Sequence, residues 1–430
     1  MERKIEHKLV EWKKSANRLP LIVHGARQVG KTFSILRFGK MNYKNVAYCN
    51  FESNTGLQQI FANNFDTKRI IRELSVFTGK QIYENDTLIF FDEIQAAEQA
   101  LTSLKYFAEQ SPNYHVIAAG SLLGVAINRK KYSFPVGKVA IQTLAPMDFE
   151  EFLWAINQTD AVSIIKESFE NNTECTLHQQ FLNYYKKFLC TGGMPQVVSE
   201  YIDKQDFDYV SVIQKNIINA YIADMAKYAT PDETVRIMAV FNSVPAQLAK
   251  DNKKFQYKII KSGARAKQYE LALQWLKASG IIIYSPKLNE GKLPLSVYTD
   301  NNSFKTYMND TGLLLSSIGV PAKIILSDIA GYQNFKGILA ENYVATALAA
   351  NNYIPYYWAS EGKAEIDFVI QDKAGNIIPI EVKSADNVRS KSLQQYVYQN
   401  KPFYSIRVSS KNFGFENKIK SVPLYACFCI

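Results

Sequence analysis

Leu21–Leu36, LIVHGARQVGKTFSIL, decides the reading of this chain. Leu21-Ile22-Val23 is a short apolar run, which predicts a buried strand. Gly25–Thr32, GARQVGKT, fills every fixed position of the phosphate-cradling pattern G-x-x-x-x-G-K-[ST]. Phe33–Phe38 predicts a helix opening directly behind it. Glycines let successive backbone N–H groups curl around phosphate oxygens, and the helix N-terminus adds partial positive charge there. Lys31 can reach the terminal phosphates and the Thr32 hydroxyl can ligate Mg²⁺. Gly25, Ala26, Arg27, Gln28, Val29, Gly30, Lys31, Thr32 and Phe33 are therefore the candidate nucleotide-binding set, with ATP and Mg²⁺ as expected cofactors. A chance Gly-rich turn would not bring strand, loop and helix in this order.

The next strands follow outward. Asn45–Phe51 reads as a second strand, and Thr87–Phe91 as a third that ends in Asp92-Glu93. At the C-terminal edge of a parallel sheet, Asp92 can hold the Mg²⁺ shell while Glu93 polarises the attacking water. Tyr114–Ala119 predicts another strand, after which Ser121 is a candidate to touch the γ-phosphate or the attacking water. Ser after Gly is also ordinary turn chemistry. Arg129, Lys130 and Lys131 read as a solvated cluster or as cations for a neighbouring ATP.

Composition sets the outer bounds. The 430 residues carry a net charge of +10, with 47% hydrophobic and 21% charged side chains, as in ordinary globular proteins. Two to four domains are expected. No run of about 18 apolar residues appears, so no membrane partner is expected. The first eighteen residues are too charged for a secretory signal and predict an amphipathic helix packing Ile5, Leu9, Val10 and Trp12. Cys49, Cys175, Cys190, Cys427 and Cys429 have no metal-ligand spacing and read as reduced thiols, which suits a cytoplasmic chain.

GARQVGKT, FFDEIQ, GSLLG and LAPMDFEEFL, in this order, resemble a family of predicted AAA+-superfamily ATPases of bacteria and archaea with a C-terminal domain of unknown function. The resemblance continues through Gly192-Gly193-Met194-Pro195 to the end of the chain. It implies an α/β fold: a P-loop NTPase (AAA+-like) parallel sheet, then a helical and winged-helix region, then an α/β restriction-endonuclease-like domain. The expected divisions are 1–155, 156–230, 231–325 and 326–430. Where the family carries Gly-Arg, this chain has Gly137-Lys138, and a lysine lacks the guanidinium fork of an arginine finger.

Pro231-Asp232-Glu233 predicts a helix start. Pro245–Ala249 is expected as the short first helix of a helix-turn-helix, with a second helix after Gly263-Ala264-Arg265. Its apolar positions are Tyr269, Leu271, Leu273, Trp275 and Leu276. Ile281–Tyr284 and Ser296–Tyr298 then close a hairpin around Asn289–Lys292. Between Lys250 and Lys267, seven cations stand against Asp251 alone. Lys258, Lys261 and Arg265 are the candidate DNA contacts, since such clusters neutralise backbone phosphates. A solvated face or a contact between protomers is the competing reading.

Further on, Gly337–Ala349 predicts a helix and Glu365–Lys383 a hairpin turning at Ala374. In that register Asp367 faces Glu381, and Glu365 faces Lys383, all on one side. Two facing carboxylates can hold Mg²⁺ and a lysine can orient a water. Asp367, Glu381 and Lys383 resemble the D…E-x-K signature of the restriction-endonuclease-like fold, with Glu341 as the helix glutamate and Gln394 or Gln395 as accessory positions. The reading is an ATP-binding and ATP-hydrolysing protein whose nucleotide state controls a DNA-binding winged helix and a nuclease-like domain. The alternatives are a regulator or adaptor of protein partners with a silent nuclease-like domain, and a slow-hydrolysing switch. DNA, protein partners and further copies of the chain are the partners the sequence admits.

Overall fold

A computed structural model describes residues 1–121, 134–327, 333–360, 364–383 and 391–430. The chain divides into two compact units, Met1–Ala145 with Ala278–Gly280, and Pro146–Lys277 with Ile281–Ile430. The expected divisions at 230/231 and 325/326 fall inside the second.

In the first unit, β1 (Leu21–His24), β2 (Asn45–Asn50), β3 (Thr87–Asp92), β4 (His115–Gly120) and β5 (Ala140–Thr143) form one sheet in the order β2-β3-β4-β1-β5. Every pairing in it is parallel. Both faces are covered, so β3 and β4 are apolar at nearly every position and fully buried. Phe91, Phe51, Phe61 and Phe107 stack edge to face over one side. Each such ring contributes about 1.5–3 kcal/mol of burial. β5 was not foreseen: it is half-exposed and Ile141 on it faces water.

The predicted N-terminal helix spans Lys4–Lys14 and buries Ile5 and Leu9, while Val10 and Trp12 are half-buried. Among the cysteines none is paired. No helix of the described residues is long and apolar enough to cross a membrane.

The second unit begins with helices, among them Phe149–Ala155, His178–Thr191, Pro195–Lys204 and Phe207–Tyr228. A capping box between Thr230 and Glu233 starts the helix Pro231–Leu248, as the sequence predicts. Pro245–Ala249 corrects an expectation. It is the end of that long helix, because Pro245 sits in the last turns, where its missing N–H removes a single bond. The short helix is Tyr257–Ile260, followed by Ala266–Ala278. Ala272, Leu273, Trp275 and Leu276 are its buried face, whereas Leu271 is exposed.

The hairpin that follows is β6 (Ile282–Leu288) and β7 (Thr299–Met308), so its return strand starts after the expected Ser296–Tyr298. Leu295–Tyr298 is a 3-10 turn instead. The hairpin is not a detached wing. With β8 (Tyr356–Ala359), β9 (Glu365–Gln371), β10 (Ile377–Val382), β11 (Ser405–Ser409), β12 (Gly414–Glu416) and β13 (Ile419–Pro423) it builds one eight-stranded sheet, order β12-β13-β11-β10-β9-β8-β6-β7. Lys287 and Leu288 of β6 pair in parallel with Tyr357 and Trp358 of β8.

Candidate functional site

The chain makes its phosphate loop where β1 ends in the middle of the first sheet. Gly30 caps the helix Lys31–Asn42 in a left-handed conformation, φ 93°, that suits glycine. A Cβ at Gly25 would stand 2.1 Å from the Leu144 carbonyl oxygen, so that position is closed to side chains. Lys31 is buried and its Nζ donates to the Gly25 and Ala26 carbonyls at 3.0 and 2.8 Å, which holds the ammonium over the loop. Phe33 lies exposed just behind it.

Asp92 arrives from β3, with β4 between it and the loop strand. Thr32 Oγ1 donates to Asp92 Oδ2 at 2.9 Å. Tyr48 on the neighbouring β2 donates to the same oxygen at 2.9 Å, and the Glu93 N–H bonds Oδ1 at 3.1 Å. Asp92 is 2% exposed. Glu93 turns out of the strand in a left-handed conformation, φ 50°, and Gln95 Nε2 holds its Oε2 at 2.6 Å. Strain of this kind at a non-glycine residue gathers where a side chain must point one way. Ser121 is buried and follows β4, whose Gly120 pairs with His24, so it stands beside the start of the loop. Burial and then Lys31 lower the pKa of His24, and its Nε2 bonds the Thr143 hydroxyl at 2.8 Å.

This donor set fits ATP with Mg²⁺. A hydroxyl and a carboxylate already share one point, and a lysine and a glycine cradle lie next to it. Three contributors were not read from the sequence. Arg3, 3% exposed, donates to the Val29 and Ala145 carbonyls at 2.8 Å each, bracing the loop from the N-terminal segment. Tyr48 and Gln95 orient the two acids. Gln95 lay in plain view within FFDEIQ, but Tyr48 needs the strand order and Arg3 a contact across the fold. Lys138 pairs with Glu109 at 3.0 Å. Arg129, Lys130 and Lys131 lie outside the described residues.

In the second unit Lys258, Lys261 and Arg265 are all exposed, on the short helix, at its end and just ahead of Ala266–Ala278. Lys253 departs from that group. It is half-buried and pairs with Glu341.

The C-terminal hairpin keeps the expected register, Ile380 against Phe368 and Ile378 against Ile370. Its charges pair differently. Glu365 bonds Lys305 at 2.5 Å and Lys383 bonds Glu381 at 2.7 Å, so Glu365 and Lys383, expected to face each other, each take another partner. Lys383 lies just past β10, with its N–H on the Val408 carbonyl. Asp367 Oδ2 accepts the Val382 N–H at 2.8 Å. Burial, then the Glu341 anion, push its pKa up. Glu341 is buried on the helix Gln333–Ala350 and takes the Tyr307 hydroxyl at 2.6 Å and Lys305 at 3.3 Å on Oε1, with Lys253 on Oε2. Burial opposes its ionisation, and Lys305 and Lys253 outweigh that and keep it charged. Both Glu341 oxygens and one oxygen each of Glu365, Asp367 and Glu381 thus already carry a lysine, a tyrosine or a backbone N–H. Among the described residues no group of three or more His, Cys, Asp or Glu side chains is placed to hold a metal. Gln394 and Gln395 are exposed.

Residues 17–153 match the family model described as an AAA domain, and residues 336–427 one described as a domain of unknown function, DUF4143. Residues 182–323 match a second domain of unknown function, DUF8612. No curated protein matches the chain. Among solved structures it is similar to the Walker-type ATPase PABY2304 of Pyrococcus abyssi, with 15% identity, TM-score 0.44, and 74% of this chain and 95% of that chain covered. The ORC2 protein of Aeropyrum pernix gives 10% identity, TM-score 0.33, and 78% and 91% coverage. The ORC1 protein of Aeropyrum pernix in complex with DNA gives 10%, 0.27, 76% and 91%. The chain thus carries an AAA-type ATPase domain at its N-terminus and DUF4143 at its C-terminus, as the resemblance implied.

Proposed function

We propose that this chain is a Mg²⁺-dependent ATPase whose nucleotide state switches contact between DNA and the basic face of its second unit. The observation that carries the reading is the meeting of the Thr32 hydroxyl with the Asp92 carboxylate. Bound Mg²⁺ would supply charge neutralisation for the phosphates. Thr32 and Asp92 would hold it, and Lys31 and the loop N–H groups from Ala26 to Thr32 would bind the phosphates. Glu93, fixed by Gln95, takes the role of orienting and polarising water, with Ser121 at the γ-phosphate.

The DNA part rests on the exposed Lys258, Lys261 and Arg265 around two helices and a hairpin, the order of a winged helix. ATP turnover measured with and without duplex DNA tests it. Stimulation by DNA supports the switch, and turnover indifferent to DNA at every salt concentration counts against it. A second reading has its own support. The carboxylates expected to cut DNA are each engaged by lysine, tyrosine or backbone, which favours a silent nuclease-like domain that binds.

A further inference from the structure

Among the described residues Lys305 is the most deeply buried charge in the second unit, 0% exposed. Its Nζ stands 3.3 Å from Glu341 Oε1, 2.5 Å from Glu365 Oε1 and 4.9 Å from the centre of the Tyr357 ring. Four separate segments meet there. Lys305 and Tyr307 come from β7, Glu341 from the helix Gln333–Ala350, Glu365 from the start of β9 and Lys253 from the loop behind Pro231–Leu248.

We infer that Lys305 is the resident cation of this carboxylate cluster, shared by Glu341 and Glu365 in place of a divalent metal, and that the cluster clamps the β6–β7 hairpin onto the C-terminal sheet and helix. Charge accounting carries the argument. Lys253 and Lys305 pair with Glu341 and Glu365, two ammonium groups on two carboxylates, and Lys383 pairs with Glu381. A divalent cation would add charge to acids that lysines already pair, in a medium of effective dielectric about 20 or less.

Expelling a lysine to make room is costly at Lys305. Its strand neighbours Phe304 and Tyr307 are core residues, so the ammonium cannot leave without unpacking β7. Lys253 is more accessible, but its departure frees Glu341 Oε2 alone and leaves Lys305 and Tyr307 on Oε1. The clamp has a second fastening beside it. Asn342 bonds both the N–H and the carbonyl of Met308 at the end of β7, at 2.8 and 3.1 Å. A hairpin next to a basic helix is thereby fixed to a rigid body, which suits a surface that binds in a set geometry. The inference stands whether or not the first unit hydrolyses ATP.

The test uses the full chain without nucleotide and Mn²⁺ alone as the probe. Calorimetric Mn²⁺ titrations of the wild type and Asp367→Asn are expected to superimpose. Lys305→Met, of similar length without charge, is expected to lower Tm by about 5 °C or more and to speed amide exchange over β7. Failure of that variant to fold is the same loss in stronger form. An equivalent of Mn²⁺ bound by the wild type and lost in Asp367→Asn overturns the resident-cation assignment. An unchanged Tm with unchanged exchange in Lys305→Met overturns the clamp. ATP turnover recorded on the same preparations reads the P-loop separately.

Discussion

Thr32 and Asp92, sixty residues apart in the chain, meet at 2.9 Å through a hydroxyl-to-carboxylate hydrogen bond. One comes from the first turn of the helix that follows β1 and the other from the tip of β3, two strands away. The sheet therefore brings together the two side chains proposed above to hold Mg²⁺, so that little ordering would remain to be done on binding.

Lys31→Ala removes the ammonium held over the loop and should weaken ATP binding together with turnover. A loss of about 10²-fold or more in kcat/KM is expected. Asp92→Asn should instead raise the Mg²⁺ concentration needed for half-maximal turnover. Mg²⁺ titrations of ATP hydrolysis separate the two effects.

Gln95→Ala leaves the phosphate contacts intact and frees the Glu93 carboxylate to turn away. Its kcat should fall about tenfold while KM for ATP holds. A rise in KM with unchanged kcat would place Gln95 in nucleotide binding instead.

Replacing Lys258, Lys261 and Arg265 together with Ala should flatten the dependence of DNA affinity on salt. Three lost phosphate contacts correspond to a log–log slope shallower by about 2.7. The weakening should be the same for unrelated DNA sequences, which binding curves at four salt concentrations would show.

Asp310 gives the fold a measurable pH dependence. It caps the helix Thr311–Ile318 through the Leu313 N–H at 2.8 Å and holds the Gly193 N–H at 2.5 Å. Burial raises its carboxyl to about 6, against the hydrogen bonds that lower it. A folded value above the unfolded one means the protonated form is favoured by folding. Its contribution is whole below about pH 4 and lost as pH rises through 6, up to about 2–3 kcal/mol. Denaturant unfolding from pH 4 to 7 should show that decline, and Asp310→Asn should make it shallower.

What the sequence disclosed was local. The strand, loop and helix around Gly25–Thr32 are contiguous, and the Asp92-Glu93 end of an apolar run carries its own signature. The helix start at Pro231-Asp232-Glu233 and the register of the β9–β10 hairpin were legible for the same reason, since both are set within a few residues. The pairing of Tyr48 with Asp92 depends on β2 lying next to β3, and the brace from Arg3 to Val29 on a contact across the unit. Neither leaves a periodic trace. The acidic cluster misled in an instructive way. Residue spacing placed Glu365 opposite Lys383, but Lys305, from a strand sixty residues upstream of β9 in the chain, reaches Glu365 first and releases Lys383 to Glu381. The hairpin β6–β7 likewise read as a free wing because its bond to β8 is long-range.

Phosphate release under saturating ATP and Mg²⁺, compared between the wild type and Glu93→Gln, tests the account most directly. The wild type should turn over, and Glu93→Gln should bind ATP as tightly while its kcat falls by about 10²-fold or more. Turnover by Glu93→Gln at the wild-type rate would contradict it.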